Sequence, residues 1–290
     1  MIERFDFKSG GEKLIGNLHL PEGPTIAAAV TTGPLTSVKE QAPTAYAKAL
    51  SSRGIATLAF DHRTFGESGG GPREFENPFA KVEDLLAAFA ALKADLRTRA
   101  APLVAVGICA GAGYMAEAVA QSADVRAFAG VAGYYGQSTP ESIQAAAPAI
   151  ARGEAAERGF RDTGISDSIP AVGPNNGDVA MPLTEAYEYY GTSRGAVANY
   201  SNNFALASYA YTPKFNSIDA AARIKAPTLI VHSEHALAPS LARLFYSRLA
   251  ARHEELWLQS KGQIDFYDDP KLIEPAANAI VQFFSKVLSA

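Results

Sequence analysis

Runs of hydrophobic residues alternate with amphipathic segments along most of this 290-residue chain, and this alternation constrains the fold more than any other feature. The predicted strands are Ile2–Lys8, Lys13–Leu20, Ile26–Thr31, Ile55–Phe60, Leu103–Ile108, Val125–Val131, Pro227–His232 and Glu255–Gln259. The predicted helices of the same pattern are Ala42–Ser52, Pro78–Arg97, Ala110–Gln121, Pro239–Ala251 and Pro270–Val287. Such alternation predicts an α/β fold, with a mostly parallel sheet covered by helices on both faces. The first two strands are expected to form an antiparallel edge.

The segment 132–226 is far longer than the connections usual in an α/β unit, so it must have structure of its own. We predict a helical lid here, with helices over Glu141–Arg152 and Thr184–Tyr190. The core is then expected to consist of residues 1–131 and 227–290. Four tyrosines of the lid segment are candidate substrate-binding residues, namely Tyr134, Tyr135, Tyr187 and Tyr190. Their rings suit an apolar or aromatic ligand, although simple packing of the lid onto the core is the alternative.

Composition excludes several classes of protein. There are 26 Lys+Arg against 30 Asp+Glu, a net charge of −4, which leaves no basic surplus for binding nucleic acid. The longest uncharged stretch, Ala100–Ala116, falls short of the ~20 apolar residues that span a bilayer. No signal peptide is expected at the N-terminus. Because the chain has one cysteine, no internal disulfide can form, and a reducing cytoplasmic location is expected.

The cysteine lies in the most informative motif of the chain. In Gly107-Ile108-Cys109-Ala110-Gly111 it stands between small residues, where a buried strand is predicted to turn into a helix. This pattern is a nucleophile elbow with cysteine in place of serine, and its small residues let strand and helix approach closely. A helix N-terminus favours negative charge, so we expect a lowered thiol pKa and an oxyanion contact from the Ala110 N–H. The alternative is a lone buried cysteine with no chemistry.

Together these features resemble the α/β-hydrolase superfamily, on the branch of dienelactone hydrolases and fungal polyketide transferases or thiohydrolases. Besides the elbow, the segment 60–70 (FDHRTFGESGG) is similar to the family's D-x-R-x-x-G-x-S loop. The segment 262–268 (GQIDFYD) is similar to the one that closes such domains. The resemblance covers nearly the whole chain and implies a central sheet with a nucleophile, an acid and a histidine at its carboxyl edge. It does not name a substrate, because one fold hosts many reactions.

The sequence differs from this triad at the histidine. Glu234, just after the strand ending at His232, is the candidate acid, although its spacing differs from the family's usual aspartate. The histidine position holds Gln263, which does not titrate and cannot act as a general base. His62 and His235 also follow strands at the ligand-binding edge and are the candidate replacements.

The second oxyanion donor is expected from the loop Gly33-Pro34-Leu35-Thr36-Ser37. Pro34 has no N–H, which leaves Leu35 or Thr36. Related dienelactone hydrolases use a glutamate near this loop to handle the thiol proton, which makes Glu40 a further candidate, a solvated helix start being its alternative. We expect neither a metal nor another cofactor, because the sequence contains no ligand spacing and no phosphate-binding loop.

Our first functional hypothesis is an acyl-processing enzyme, an esterase-type hydrolase or an acyltransferase. In it Cys109 attacks an ester, lactone or thioester of an acyl or polyketide-like small molecule. The missing histidine favours transfer over fast hydrolysis, because water needs more activation than an amine, thiol or carbanion. The alternatives are a non-hydrolytic biosynthetic enzyme (carbon–carbon bond formation, isomerisation or elimination) and a ligand-binding protein with a vestigial elbow. No membrane partner is expected, and a homodimer is a further expectation.

Overall fold

The structure is a computed structural model that describes residues 1–175 and 177–289, so Asn176 in the insertion and the C-terminal Ala290 lie outside the described residues. Its main sheet has eight strands in the order β1-β2-β4-β3-β5-β6-β9-β10. They are β1 Ile2–Ser9, β2 Glu12–His19, β3 Ala27–Thr32, β4 Ile55–Phe60, β5 Leu103–Ile108, β6 Val125–Val131, β9 Thr228–His232 and β10 His253–Trp257. The two remaining strands, β7 Ser168–Pro170 and β8 Asn203–Ala205, form a small antiparallel pair.

Strand direction follows the sequence pattern. β1 pairs antiparallel with β2, and β2 antiparallel with β4, which confirms the predicted antiparallel edge. The six strands from β4 to β10 in the sheet order, namely β4, β3, β5, β6, β9 and β10, run parallel to one another. Every residue of β3, β4 and β5 is buried, as expected of central strands covered on both faces.

Helices cover both faces of the sheet, as predicted for an α/β fold. They are α1 Ala42–Ser51, α2 Pro78–Ala94, α3 Ala110–Gln121, α7 Pro239–Arg248, α8 Asp265–Asp268 and α9 Pro270–Leu288. α1 packs against α9, and α2 packs against α3. Since parallel strands all end at one edge of the sheet, the ends of β3, β5, β6 and β9 bring distant parts of the chain together there.

The insertion, which we define as residues 132–226, leaves the sheet after β6 and returns at β9. It contains α4 Pro140–Ala145, α5 Ala147–Thr163, α6 Thr184–Tyr190, the β7–β8 pair and three short 3₁₀ helices. The single helix predicted over Glu141–Arg152 is two helices divided at Ala146, and the second continues to Thr163. Pro148 lies in the first turn of α5, where the missing N–H has no helical partner to lose. No helix of the described residues is long and apolar enough to cross a membrane.

Candidate active site

Cys109 lies on the sharp turn between β5 and α3. Its backbone has φ +55° and ψ −125°, a conformation that non-glycine residues seldom adopt. A Cβ added to Gly107 would lie 2.5 Å from the Cα of Ala112, and one added to Gly111 would lie 2.4 Å from the carbonyl oxygen of Gly33. The small residues of the motif are therefore required by close backbone packing. The turn is the strand-to-helix elbow that the motif predicts.

The thiol of Cys109 is buried, and burial raises its pKa above the ordinary value. Four hydrogen-bond donors oppose this rise: the Tyr267 hydroxyl, the Ala110 N–H, the Gln263 side-chain amide and the Leu35 N–H. The expected fall in pKa at the helix N-terminus was wrong, because the sulfur loses more hydration than these dipoles return. At neutral pH the group is a thiol surrounded by donors.

Two of these donors are N–H groups for which the sequence predicts an oxyanion hole. The N–H groups of Leu35 and Ala110 both face the sulfur, and both residues line the cavity in front of it. The Thr36 N–H instead donates to Oε2 of Glu76 at 3.0 Å, away from the sulfur. Of the two candidate donors that the sequence left open, Leu35 and Thr36, it is the Leu35 N–H that faces the sulfur. The two N–H groups are placed to stabilise a negative oxygen bound to an acyl carbon at Cys109.

Gln263, which the sequence analysis expects at the histidine position of a triad, lies beside the sulfur. Its Nε2 donates to the carbonyl oxygen of Ala132 at 2.8 Å and to the Tyr267 hydroxyl at 3.3 Å. Its Oε1 accepts the Leu237 N–H at 2.9 Å. Both ends of the amide are engaged, so Gln263 orients its neighbours and takes no proton.

Tyr267 is the site residue that the sequence analysis missed. It lies on α8, four residues after Gln263, and its buried hydroxyl reaches the sulfur of Cys109. Burial raises the pKa of Tyr267 well above its ordinary value, so the hydroxyl keeps its proton and acts as a donor. The available signal was its place in the closing segment, four residues after Gln263 and on the short helix that follows it.

The candidate acid and the candidate replacement histidines lie elsewhere. Glu234 is exposed and pairs with Arg243, and His235 is also exposed. The ring of His62 is buried, with Nε2 2.8 Å from the Thr32 hydroxyl and Nδ1 3.3 Å from Asp84. None of the three lines the cavity that contains Cys109. Their assignment to the site is corrected, because strand ends place residues at the right edge without deciding which way the side chains point.

Glu40, the further candidate, lies in a separate ionic cluster. Its carboxylate is 2.8 Å from Nζ of Lys39, which also contacts Asp61 at 2.7 Å and Glu67 at 2.6 Å. In the part of the chain that the structure describes, these three carboxylates are the one group of metal-ligating side chains close enough together to share an ion. The buried ammonium of Lys39 lies among them and offsets part of their charge.

A cavity of about 630 Å³ opens in front of Cys109 between the sheet edge and the insertion. Of the four predicted tyrosines, Tyr134 and Tyr190 line it. Tyr135 does not, since its ring stacks on Phe245 with centroids 3.9 Å apart, and Tyr187 packs against the core instead. The other aromatic residues of the wall are Tyr114, Phe204, Tyr209, Phe215 and Tyr267.

The wall of this cavity is mainly apolar and carries little charge. Among the described residues that line it, Glu185 on α6 is the only charged side chain. Its Oε2 lies 3.4 Å from the Ile264 N–H, next to Gln263. The cavity is therefore mainly apolar, with one carboxylate near Gln263.

Comparison with known proteins places this arrangement in a family. The family model described as serine aminopeptidase, S33 matches residues 41–262, more than half of the chain. The chain belongs to this family of α/β-hydrolases. At the elbow position this family member carries Cys109 rather than the serine of the family's description.

Similar proteins match this α/β-hydrolase over 90% or more of its length. YcjY of Escherichia coli strain K12 is 28% identical over 272 residues, covering 90% of this chain and 89% of YcjY. The crystal structure of PA2218 from Pseudomonas aeruginosa has a TM-score of 0.83 at 26% identity, over 99% of this chain and 93% of that one. The structure of DcsB in complex with its substrate analogue has a TM-score of 0.86 at 18% identity, over 100% of both chains. The insertion is thus part of the shared fold.

Proposed function

We propose that this α/β-hydrolase is an acyl-transfer enzyme in which Cys109 takes an acyl group from a thioester. The observation that carries the proposal is the sulfur on the elbow facing the N–H groups of Leu35 and Ala110, at the wall of an apolar cavity. That arrangement suits attack on an acyl carbon and stabilisation of the oxyanion that results.

The state of the thiol favours a thioester as the donor. With a raised pKa and no histidine among the described residues of the wall, the site lacks an imidazole base to take the thiol proton. In thiol–thioester exchange the Cys109 sulfur bonds to the acyl carbon, the bond from that carbon to the donor sulfur breaks, and the donor leaves as a thiol carrying that proton. A thiolate, with a conjugate-acid pKa of about 8.5, leaves far more readily than an alkoxide.

The second half-reaction passes the acyl group to an acceptor other than water. Gln263 cannot deprotonate water, and hydrolysis of the thioester at Cys109 would be slow without an imidazole base, because a carboxylate is a weaker base toward water. An amine, thiol or carbanion needs less activation than water. The carboxylate of Glu185 is available to take the proton that an amine or thiol releases on acylation, and a carbanion releases none. The apolar wall favours a substrate with an extended hydrocarbon or polyketide-like chain. Carbon–carbon bond formation at the acyl carbon is the form of this reaction in which the acceptor is a carbanion.

Intact-mass spectrometry tests the first step directly. Wild-type protein and Cys109→Ala are incubated with acyl thioesters and with the matching oxygen esters. We expect one acyl adduct on the wild type, formed faster from the thioester, and none on Cys109→Ala. Failure of the wild type to form an adduct, with free thiol demonstrated by alkylation, would refute the proposal.

Two further properties belong to the proposal. A single cysteine that must remain a thiol suits the reducing cytoplasm. The homodimer stays a prediction, which sedimentation velocity of the purified protein tests.

A further inference from the structure

Glu76 is a fully buried carboxylate that lies outside the cavity wall. Its Oε2 accepts the Thr36 N–H at 3.0 Å. Its Oε1 accepts the Tyr114 hydroxyl at 2.9 Å and lies 2.7 Å from Nζ of Lys81. One carboxylate thus contacts the loop after β3, the nucleophile helix α3 and helix α2.

The contact with Thr36 acts on the oxyanion loop. Thr36 has φ +62°, in the left-handed region that a residue with a β-branch seldom occupies. Its N–H belongs to the peptide that follows Leu35, so the hydrogen bond to Glu76 sets the orientation of the backbone on one side of Leu35. The Leu35 N–H, on the other side, then faces the sulfur of Cys109.

The contact with Tyr114 acts on the other oxyanion donor. Tyr114 lies four residues after Ala110 on α3, on the same face of the helix, and its ring lines the cavity. The hydroxyl of Tyr114 is buried, and burial raises its pKa well above the ordinary value, so it donates to Glu76. Glu76 therefore ties the first turn of α3, which supplies the Ala110 N–H, to the loop that supplies the Leu35 N–H.

We propose that Glu76 is a positioning residue that holds the two N–H donors of the oxyanion hole at the distance the reaction needs. The inference rests on the proposed acyl transfer at Cys109. A carboxylate is required because it accepts from every partner at once, whereas the amide of glutamine would turn two donor hydrogens toward Thr36, Tyr114 or Lys81. Lys81 balances the charge of Glu76, and its ammonium lies 4.3 Å from the centre of the Phe65 ring.

The backbone at Glu76 and at Glu74 also makes hydrogen bonds. Its N–H donates to the Ser208 hydroxyl at 2.9 Å, and the carbonyl oxygen of Glu74 accepts the Ala205 N–H at 3.0 Å. Both partners belong to the insertion that roofs the cavity. The carboxylate that aligns the oxyanion hole is thus anchored to the insertion as well as to the core.

Two reactions of the same sulfur separate positioning from simple loss of structure. Acylation by a thioester passes through an oxyanion, whereas alkylation by iodoacetamide does not, so only acylation needs the aligned N–H groups. Both rates are measured over a full pH profile, because any change in the thiol pKa affects them together. For Glu76→Gln we expect the acylation rate of the thiolate to fall about 10²-fold, the usual effect of losing one oxyanion donor, and the alkylation rate to stay near that of the wild type.

Two further variants keep the test decisive. Glu76→Asp retains the charge opposite Lys81 but shortens the reach toward Thr36, and should lower acylation by less than Glu76→Gln does. Asp84→Asn removes another fully buried carboxylate, whose partners Arg63 and His62 lie outside the cavity wall, and should change neither rate.

The outcomes are distinguishable. Equal loss of both rates in Glu76→Gln and Glu76→Asp, or loss in neither, would overturn the positioning role and leave the proposed function standing. A wild type that is alkylated but never acylated would overturn both.

Discussion

At the scale of single residues, the chemistry of this protein depends on where the Cys109 proton resides. Burial favours the neutral thiol, and the donors around the sulfur return part of the lost stabilisation of the thiolate. Thiolate, the reactive form, therefore accumulates only at a pH above the ordinary thiol value of about 8.5. Reactivity toward alkylating reagents should rise with pH across that range and stay low at neutral pH.

Removing one of the donors to the sulfur should shift the pH profile of alkylation to still higher pH. In Tyr267→Phe the sulfur loses the hydroxyl that most opposes the rise in pKa. We expect the midpoint of the alkylation profile to shift to higher pH, and the rate at neutral pH to fall accordingly. Intact mass after timed alkylation measures both. A midpoint that is unchanged or lower would contradict the assignment of Tyr267 as a donor to the sulfur.

Gln263→His tests whether the missing base sets the balance between transfer and hydrolysis. An imidazole beside Tyr267 can deprotonate water, so the acyl group on Cys109 should be hydrolysed about 10²-fold faster. The cost is one of the two hydrogen bonds to Ala132 and Leu237, about 1 kcal/mol of stability.

The control for this substitution is Gln263→Leu, which loses both hydrogen bonds and supplies no base. It should leave hydrolysis of the acyl group as slow as in the wild type. Equal acceleration in both variants would mean that water entry, rather than the base, governs the rate.

At the scale of elements, the elbow depends on the contact between β5 and α3. In Gly107→Ala the new Cβ would meet backbone atoms of Gly111 and Ala112, which cannot move aside as a side chain can. We expect a loss of about 1–3 kcal/mol in the free energy of unfolding, measured by urea denaturation. Gly159→Ala in α5 is the matched control, because its Cβ meets nothing within 4 Å and should stabilise the helix by roughly 0.5–1 kcal/mol. Equal effects of the two substitutions would refute the packing argument.

Helix α6 brings the one charged side chain of the cavity wall to the reacting end. Glu185→Gln keeps the shape of this side chain and removes its ability to take a proton. We expect acylation of Cys109 to proceed at the wild-type rate and transfer to an amine acceptor to slow by about 10²-fold. Glu188→Gln, on an exposed position of the same helix, should change neither step. Single-turnover mass spectrometry separates the steps, and a slower acylation would contradict this role.

At the scale of the whole molecule, residues of the insertion and of the core line the cavity together, so we expect both to select the acyl group. Ala149 on α5 lines the cavity, whereas Ala151 on the same helix is exposed. Ala149→Phe should reduce acylation by long-chain thioesters and leave the acetyl thioester unaffected, while Ala151→Phe should leave the whole series unchanged. Equal loss for acetyl and long-chain donors would mean that the substitution disturbs the sulfur rather than the chain-binding part of the cavity.

Much of the fold was predictable from the sequence. The strands Ile55–Phe60, Leu103–Ile108 and Val125–Val131 were predicted with the bounds that the structure has, because buried parallel strands are continuous hydrophobic runs. The prediction was less accurate inside the insertion. The division at Ala146 and the pair β7–β8 were missed, since short strands and a break between two helices leave little pattern in the sequence.

What the sequence alone determined is local: the turn at Cys109 between strand and helix, the Ala110 N–H that follows it, and a glutamine that does not titrate at position 263. Each is decided by residue type within a few positions of a strand end. The tertiary structure decided the rest, namely that the Leu35 N–H rather than the Thr36 N–H faces the sulfur, the contacts of Tyr267 and Glu76, and the direction of the thiol pKa. These depend on which side chains from distant segments meet at the edge of the sheet, and on how much water their meeting removes from the sulfur.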